Sequence, residues 1–530
     1  MKNPAGRQGI LLFLLIAILM LGCNYPLVLT ESYYPPVQPE YLITASVPPF
    51  TLPTPAPEAT LEAEEILLSG PQPSGILPPP PQSNPAADSP ILYYTQGGDT
   101  LPALAVRFGV DPAEIVSAAP VPPAGLINPD QLLIIPDRLE STTPGQRLLP
   151  DSEFVYSPTA IDFDIQEFVA EAGGYLSTHS EYLASTGMTT GADIVQRVAI
   201  ENSVNPRLLL ALIEYQSHWV YGGAADLNLA QKDYPLGIVD LDKKGLYRQL
   251  VLGVSDMSTA YYSWREGMLA DIRYADGSTL RLAPDLNAGT VALQNFFAIQ
   301  HTPDVAAIDL SVEVGFPALY EAMFGNPWVR AQTIEPLYPP DIVQPALTLP
   351  FDPGLVWSYS GGPHGAWERD GARAALDFAP GSTEPGCVRS NKRVLAAASG
   401  YVTRSGHGVV VLDLDGDGYE QTGWGLLYLH VSDNGGIHPA PAGAWVNQGD
   451  LIGYPSCEGG VSTGTHIHIA RKYNGEWILA DGPLPFNLDG WIAHAGPRPY
   501  DGTLTKGDIT IVANPLGAYG TRITRDQPAP

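Results

Sequence analysis

Residues 462–470 read STGTHIHIA and place two histidines, His466 and His468, one residue apart in a run that favours a β-strand. Because side chains alternate across a strand, both imidazoles face one way and Ile467 faces the other. Two imidazoles side by side could serve one metal centre. They could equally be two polar side chains on a face that contacts water, so the rest of the chain must distinguish the two possibilities.

Length and charge limit the classes of function. The chain has 530 residues, too many for one core, so several domains joined by linkers are expected. It carries 27 Lys and Arg against 56 Asp and Glu, a formal net charge of −29. Nucleic acids and anionic lipid surfaces bind clustered cations, so this balance argues against either as a partner.

The N-terminus is typical of an exported protein. Lys2 and Arg7 precede the apolar run ILLFLLIAILMLG, which is short for a membrane span and ends at Cys23. The sequence LMLGC resembles a bacterial lipobox, which implies a signal peptide over residues 1–22 and a lipid on Cys23. The alternative is an uncleaved membrane anchor. We therefore expect an extracytoplasmic lipoprotein, anchored to the membrane at the cell envelope.

Residues 23–90 are rich in proline, as in YPPVQPE and VPPFTLPTPAPEAT, and this composition is typical of an extended linker. Residues 91–139 then predict the order strand, helix, helix, strand, with the second helix beginning at Asp111-Pro112. The motifs GGDTLPALAVRFGV and NPDQLLIIP resemble those of LysM modules. That resemblance implies a βααβ module that binds N-acetylglucosamine chains of peptidoglycan or chitin.

Residues 160–335 have helical periodicity, and in ADIVQRVAIENSVNPRLLLALIEYQSHWV a helix can begin at Asn205-Pro206. This passage resembles lysozyme-like lytic transglycosylases, but their catalytic Glu is replaced by Gln216. Glutamine cannot protonate a glycosidic oxygen, and Glu214 lies about 200° away around the helix. We predict a mostly α-helical domain that is catalytically inactive, with an unrelated helical domain as the alternative.

A proline-rich hinge at 336–348 leads to residues 349–505, where strand patterns such as GVVVLDL and LLYLHV alternate with glycine-rich turns. This pattern predicts an antiparallel all-β domain, with residues 506–530 as a tail. The predicted fold class is therefore multidomain α+β. Within this region DLDGDGYEQ, from Asp413, resembles the start of a calcium loop, but its twelfth position is Trp424, so a hairpin turn is favoured.

The all-β region contains five side chains of the types that bind or assist a catalytic metal. They are His364, Asp377, His430, His466 and His468. Catalytic zinc commonly takes three ligands from His, Asp or Glu and keeps a fourth position for water. Asp377 lies in the apolar run AALDFAP, where burial is costly unless the carboxylate is paired or bound to a metal.

These motifs resemble the lysostaphin/LytM-like zinc metallopeptidases. The gap of thirteen positions between His364 and Asp377 is similar to that of the beta-lytic branch. The resemblance implies that His364, Asp377 and His468 bind Zn²⁺. It also implies that His466 is the general base and that His430 holds this base or stabilises the oxyanion. The expected activity is cleavage of peptide cross-links in peptidoglycan, with the LysM module binding the glycan strands.

The three cysteines give a further expectation. If Cys23 carries a lipid, Cys387 and Cys457 form an even pair, and a disulfide is expected in an oxidising compartment. Two buried free thiols are the alternative. Two other functions also stay open: a LytM-like regulator of other wall hydrolases without activity of its own, and a lipoprotein that binds or cleaves glycan through the helical domain.

Overall fold

The computed structural model describes residues 90–382, 384–436 and 438–527. The expected signal peptide, Cys23 and residues 24–89 of the linker lie outside the described residues. Within the described ranges, no helix combines the length and apolar character that crossing a membrane requires.

Residues 91–135 form a small unit around a two-stranded sheet. Strand β1 (Ile91–Tyr94) pairs antiparallel with β2 (Leu132–Ile135), and helix α1 (Leu101–Phe108) lies between them in sequence. The expected second helix is only a single 3₁₀ turn, Pro112–Glu114. Its continuation is prevented because Val116 is already extended and bridges Ile134, and prolines follow at positions 120, 122 and 123.

The middle of the chain is mostly helical, as predicted, but it begins earlier than residue 160. Its helices are α2 (Asp151–Phe154), α3 (Ile165–Ala172), α4 (Tyr175–Thr178), α5 (Gly191–Asn202), α6 (Pro206–Ser217), α7 (Leu229–Asp233), α8 (Leu246–Arg265), α9 (Ala288–Ala298), α10 (Pro303–Asp309), α11 (Phe316–Phe324) and α12 (Pro327–Ala331). Two hairpins interrupt them, β3 (Ser180–Leu183) with β4 (Gly187–Thr190) and β5 (Asp271–Arg273) with β6 (Thr279–Arg281). The side chain of Asn205 caps α6 by accepting the backbone N–H of Arg207.

The C-terminal region is built of antiparallel strands. They are β7 (Val356–His364), β8 (Ala375–Pro380), β9 (Val394–Leu395), β10 (Gly400–Gly406), β11 (Gly408–Asp413), β12 (Trp424–Ser432), β13 (Trp445–Val446), β14 (Leu451–Pro455), β15 (Ile467–Tyr473), β16 (Glu476–Trp477), β17 (Asn487–Leu488), β18 (Trp491–Ala495), β19 (Gly502–Lys506), β20 (Ile509–Val512) and β21 (Arg522–Thr524). The large sheet has the order β13-β10-β11-β12-β15-β8-β7-β21, and β17 to β20 form a second sheet in sequence order.

The last strands correct the expectation of a tail over residues 506–530. β20 pairs with β19, and β21 pairs with β7. Ile511 and Ile523 are buried in the core of the β domain, which explains why this part of the chain is folded. Their strands are short, so the apolar pattern that marks longer strands is weak here.

Strand β15 separates two buried layers. Ile467 and Ile469 face the core of the β domain, whereas Ala470 belongs to the same buried cluster as side chains of the helical domain. Because side chains alternate along the strand, His468 shares its face with Ala470. The face of the large sheet that carries His468 is therefore the face that packs against the helical domain.

One arginine joins all three parts of the chain. The Arg265 guanidinium, at the end of α8, donates to Glu476 of the β domain at 3.0 Å and to Asp151 of the helical domain at 2.9 Å. It also donates to the backbone carbonyl of Gly97 near the N-terminal unit. All three side chains of this junction are nearly buried, so the ion pairs are poorly screened by water.

Candidate metal centre

Sheet register brings together three of the residues that the sequence singled out. β8 lies between β7 and β15, and Asp377 on β8 pairs directly with His468 on β15. His364 ends β7 on the other side of β8. The Oδ1 atom of Asp377 lies 3.3 Å from Nε2 of His364 and 3.3 Å from Nδ1 of His468. One ligand atom from each residue lies within 4.8 Å of the other two.

The imidazoles of His364 and His468 are oriented so that one nitrogen of each ring is free to bind a metal. Nδ1 of His364 donates to the backbone carbonyl of Gly362 at 2.8 Å, and Nε2 of His468 donates to that of Ala366 at 3.0 Å. A carbonyl only accepts, so these ring nitrogens carry the hydrogens, and in the neutral rings the inward nitrogens carry lone pairs. Metal-binding histidines are commonly oriented by such outer contacts.

The carboxylate also fits a metal. Asp377 is 6% exposed, and its Oδ1 atom has no hydrogen-bond partner among the described residues. Burial opposes its ionisation, but the positive charges that His364 and His466 carry when protonated outweigh burial and hold the pKa of Asp377 well below its ordinary range. A cation bound between these residues would supply that positive charge and leave both ligand imidazoles neutral. An ionised carboxylate and two neutral imidazoles form a ligand set that zinc takes in catalytic sites.

The two other histidines lie beside this group. Nε2 of His466 is 3.7 Å from Oδ1 of Asp377, and the centroids of the His430 and His466 rings are 4.4 Å apart. Each ring donates through Nδ1 to a backbone carbonyl, His466 to Gly464 at 2.7 Å and His430 to Glu458 at 2.8 Å. Burial, followed by the nearby His466 and His468, lowers the pKa of His430 to about 3, so its ring is neutral.

His430 reaches the site through a backbone irregularity. Gly408 pairs with Val431 and Val409 pairs with Leu429, so His430 is an extra residue, a β-bulge, in β12. Its φ is +63°, a left-handed value that is costly for a non-glycine residue. Regular alternation would direct His430 to the same face as Tyr428, and the bulge instead brings it next to His466.

Tyr500 is a member of the site that the sequence did not indicate. Its ring stacks on that of His364, with the centroids 4.1 Å apart and the planes inclined by 21°. Burial, followed by the Asp377 carboxylate, raises the pKa of the Tyr500 hydroxyl. Tyr500 follows β18 in a loop without a motif, and no local signal connects it to His364.

Cys387 and Cys457 form a disulfide next to the site.

Three further carboxylates lie close together, those of Asp413, Asp415 and Asp417. Asp413 accepts the backbone N–H groups of Asp415, Gly416 and Gly418, at 3.1, 3.0 and 2.8 Å. These contacts give this carboxylate the role of shaping the turn.

Comparisons with known proteins place these observations in a family context. Residues 147–338 match the family model described as the LasA N-terminal domain, a range that includes the helical region. Protease LasA of Pseudomonas aeruginosa is 26% identical over 355 residues, covering 63% of this chain and 75% of the relative. The chain is similar to LasA-type peptidases. This similarity confirms the predicted resemblance to a peptidase.

Two solved structures were also matched. The M23 metalloprotease Pseudoalterin, of deep-sea origin, is 24% identical and covers 32% of this chain and 96% of its own, with a TM-score of 0.27. The catalytic domain of the antimicrobial peptidase lysostaphin from Staphylococcus simulans is 23% identical and covers 23% of this chain and 87% of its own, with a TM-score of 0.17.

Proposed function

We propose that this chain is a zinc-dependent endopeptidase that cleaves peptide cross-links of peptidoglycan. The observation that carries the proposal is the convergence of His364, Asp377 and His468 around one point, with the outer nitrogens of both imidazoles already bonded to backbone carbonyls. The similarity to Protease LasA supports peptide-bond cleavage as the reaction.

The three converging residues would hold the ion, and the neighbouring histidines would handle protons. When bound, zinc would lower the pKa of a water ligand to roughly 7 and polarise the scissile carbonyl. His466 has its Nδ1–H committed to Gly464, so its Nε2 is free to accept a proton from the attacking water.

His430 is suited to assist His466 rather than to replace it. With Nδ1 donating to Glu458, the neutral ring carries an unprotonated Nε2, and its centroid lies 4.4 Å from that of His466. Such a nitrogen accepts a hydrogen bond and cannot donate one to an oxyanion. Of the two roles implied by resemblance, this geometry favours holding the base, because Nε2 of His430 can accept a hydrogen bond from His466 once that ring is protonated.

The remaining parts of the chain support delivery to the cell wall. We propose that residues 91–139 bind glycan strands as a LysM module and that a lipid on Cys23 holds the enzyme at the envelope. At the position of the catalytic acid implied by the transglycosylase resemblance, the helical domain has Gln216, which cannot protonate a glycosidic oxygen. Both carboxylate oxygens of Glu214 are occupied, one by the N–H groups of Val220 and Tyr221 at 3.0 and 3.1 Å and the other by His218 at 3.2 Å.

Digestion of purified peptidoglycan tests the proposal, with soluble products identified by mass. The wild-type chain and a Gln216→Glu variant are expected to release new peptide ends, and His466→Ala is expected to release almost none. Anhydro-sugar ends released by the wild type would instead assign the activity to the helical domain. A wild-type chain that binds zinc but releases no product would contradict the peptidase.

A further inference from the structure

The histidines of the site are oriented by two separate parts of the backbone. The carbonyls that orient the two ligand histidines belong to the end of β7 and the loop that follows it. The carbonyls of Glu458 and Gly464, which orient His430 and His466, belong instead to the loop between β14 and β15, residues 456–466. The metal-binding half and the proton-handling half of the site therefore have different supports.

The loop 456–466 is fastened near both ends to one short segment, residues 386–388. Near its start, Cys457 is disulfide-bonded to Cys387. Near its end, the N–H of Thr465 donates to the carbonyl of Gly386 at 3.1 Å. The Thr465 hydroxyl accepts the N–H of Val388 at 2.9 Å and donates to the Val388 carbonyl at 2.6 Å.

These attachments are adjacent to the two orienting carbonyls. Glu458 directly follows Cys457, and Gly464 directly precedes Thr465. Loosening the loop from 386–388 therefore lets the Glu458 carbonyl move away from His430, and it lets residues 464–466, which include both His466 and its partner Gly464, change conformation.

We propose that the Cys387–Cys457 disulfide and the Thr465 hydroxyl are positioning groups for the two histidines that do not bind the metal. This inference rests on the proposed peptidase function. Misplacement of a catalytic group by about 1 Å can cost roughly 10²-fold in rate. The carbonyls of Gly362 and Ala366 lie outside this loop, so we expect zinc binding to persist when its attachments are removed.

The full-length chain tests this with a Cys387→Ser/Cys457→Ser double variant and with Thr465→Val. We expect each to keep the wild-type zinc content while kcat falls by about 10- to 100-fold, with a smaller change in KM. Thr465→Ser retains the hydroxyl and is expected to restore kcat. Thr403→Val is the matched control, because the Thr403 hydroxyl lies on β10, outside this loop, and donates to the backbone carbonyl of Val411 at 3.4 Å.

Nitrogen-15 NMR of the histidine rings provides a readout that does not need activity. The wild type is expected to show His430 and His466 as single Nδ1–H tautomers, and Thr465→Val to show mixed tautomers for these two rings only. An unchanged kcat, or a loss of zinc together with kcat, would overturn the positioning role. If the wild type cleaves nothing, the proposed function fails, and unchanged tautomers in Thr465→Val would still overturn this inference separately.

Discussion

Nε2 of His364 and Nδ1 of His468 lie 3.0 Å apart, and the same carboxylate oxygen of Asp377 is 3.3 Å from each. More than a hundred residues separate the two histidines in sequence, and the pairing of β7, β8 and β15 brings them together. Asp377 pairs directly with His468, whereas the pairing of β7 with β8 is irregular and His364 pairs with Ala375. The candidate metal centre is therefore a property of the sheet and of this irregularity.

The proton-handling role of His466 predicts a loss of activity without a loss of metal. His466→Ala should lower kcat by roughly 10²–10⁴-fold, the usual contribution of a general base. Zinc content should stay at the wild-type value, because His466 is not one of the three converging ligands. Kinetics and metal analysis of the same preparations check both parts. His494→Ala, on β18 and hydrogen-bonded to Thr505, is the control expected to behave like the wild type.

The stacking of Tyr500 on His364 predicts an effect on metal affinity. Tyr500→Leu removes the aromatic face that holds the imidazole and should weaken zinc binding by roughly 10- to 100-fold, as for other outer contacts of metal ligands. Tyr500→Phe keeps the ring and should bind zinc like the wild type. Competition with a chromophoric chelator measures both affinities. Equal weakening in the two variants would show that the hydroxyl, rather than the stacked ring, is responsible.

The environment of Glu368 leads us to expect that the free energy of unfolding depends on pH. This residue lies in the loop between β7 and β8, where burial, followed by the charge of Glu201, raises its pKa to about 7. An unfolded glutamate titrates near 4.3, so the folded state holds this proton over a wider pH range. Below about pH 4 both states are protonated, and between about 4.3 and 7 the unfolded state releases its proton first. Stability should therefore fall as pH rises through this window.

The Glu368→Gln variant tests this linkage, because it cannot ionise. We compare the melting temperature of Glu368→Gln with that of the wild type at two pH values. The difference, variant minus wild type, should be larger at about pH 7.5 than at about pH 4.5. Glu384→Gln, at an exposed position in the same domain, is the control without such a trend. A difference between Glu368→Gln and wild type that is constant with pH would contradict the prediction.

Substitution of Arg265 is expected to lower the free energy of unfolding by a large amount. Arg265→Met leaves the Glu476 and Asp151 carboxylates without their shared cation in a nearly buried site. Breaking a buried pair in this way typically costs about 3–5 kcal/mol in the free energy of unfolding. Denaturant unfolding measures the change. Arg498→Met, which removes an exposed ion pair with Asp501, should change the free energy of unfolding far less, and an equally small change for Arg265→Met would contradict this prediction.

Features that depend on neighbouring residues in sequence could be predicted from it. The start of α6 at Pro206, the helical character of the middle region and the antiparallel sheet all follow from capping residues and from periodicity. The positions of His364, Asp377 and His468 follow from motif resemblance, and the structure places them together.

Features that depend on contacts between distant segments could not be predicted. The bulge at His430 is specified by pairing with β11, and Tyr500 contacts His364 from the loop between β18 and β19 of the second sheet, more than a hundred residues away in sequence. The chain near Val116 had helical signals, but a bridge to Ile134 prevents a second helix there. In each case a tertiary contact outweighs local propensity.

The metal content of the purified full-length chain tests the central claim most directly. We expect one zinc ion per chain for the wild type and for His466→Ala. We expect loss of that ion in His364→Ala, Asp377→Asn and His468→Ala, each of which should stay folded by circular dichroism. A folded wild-type chain that does not bind stoichiometric zinc, or ligand variants that retain it, would contradict the account.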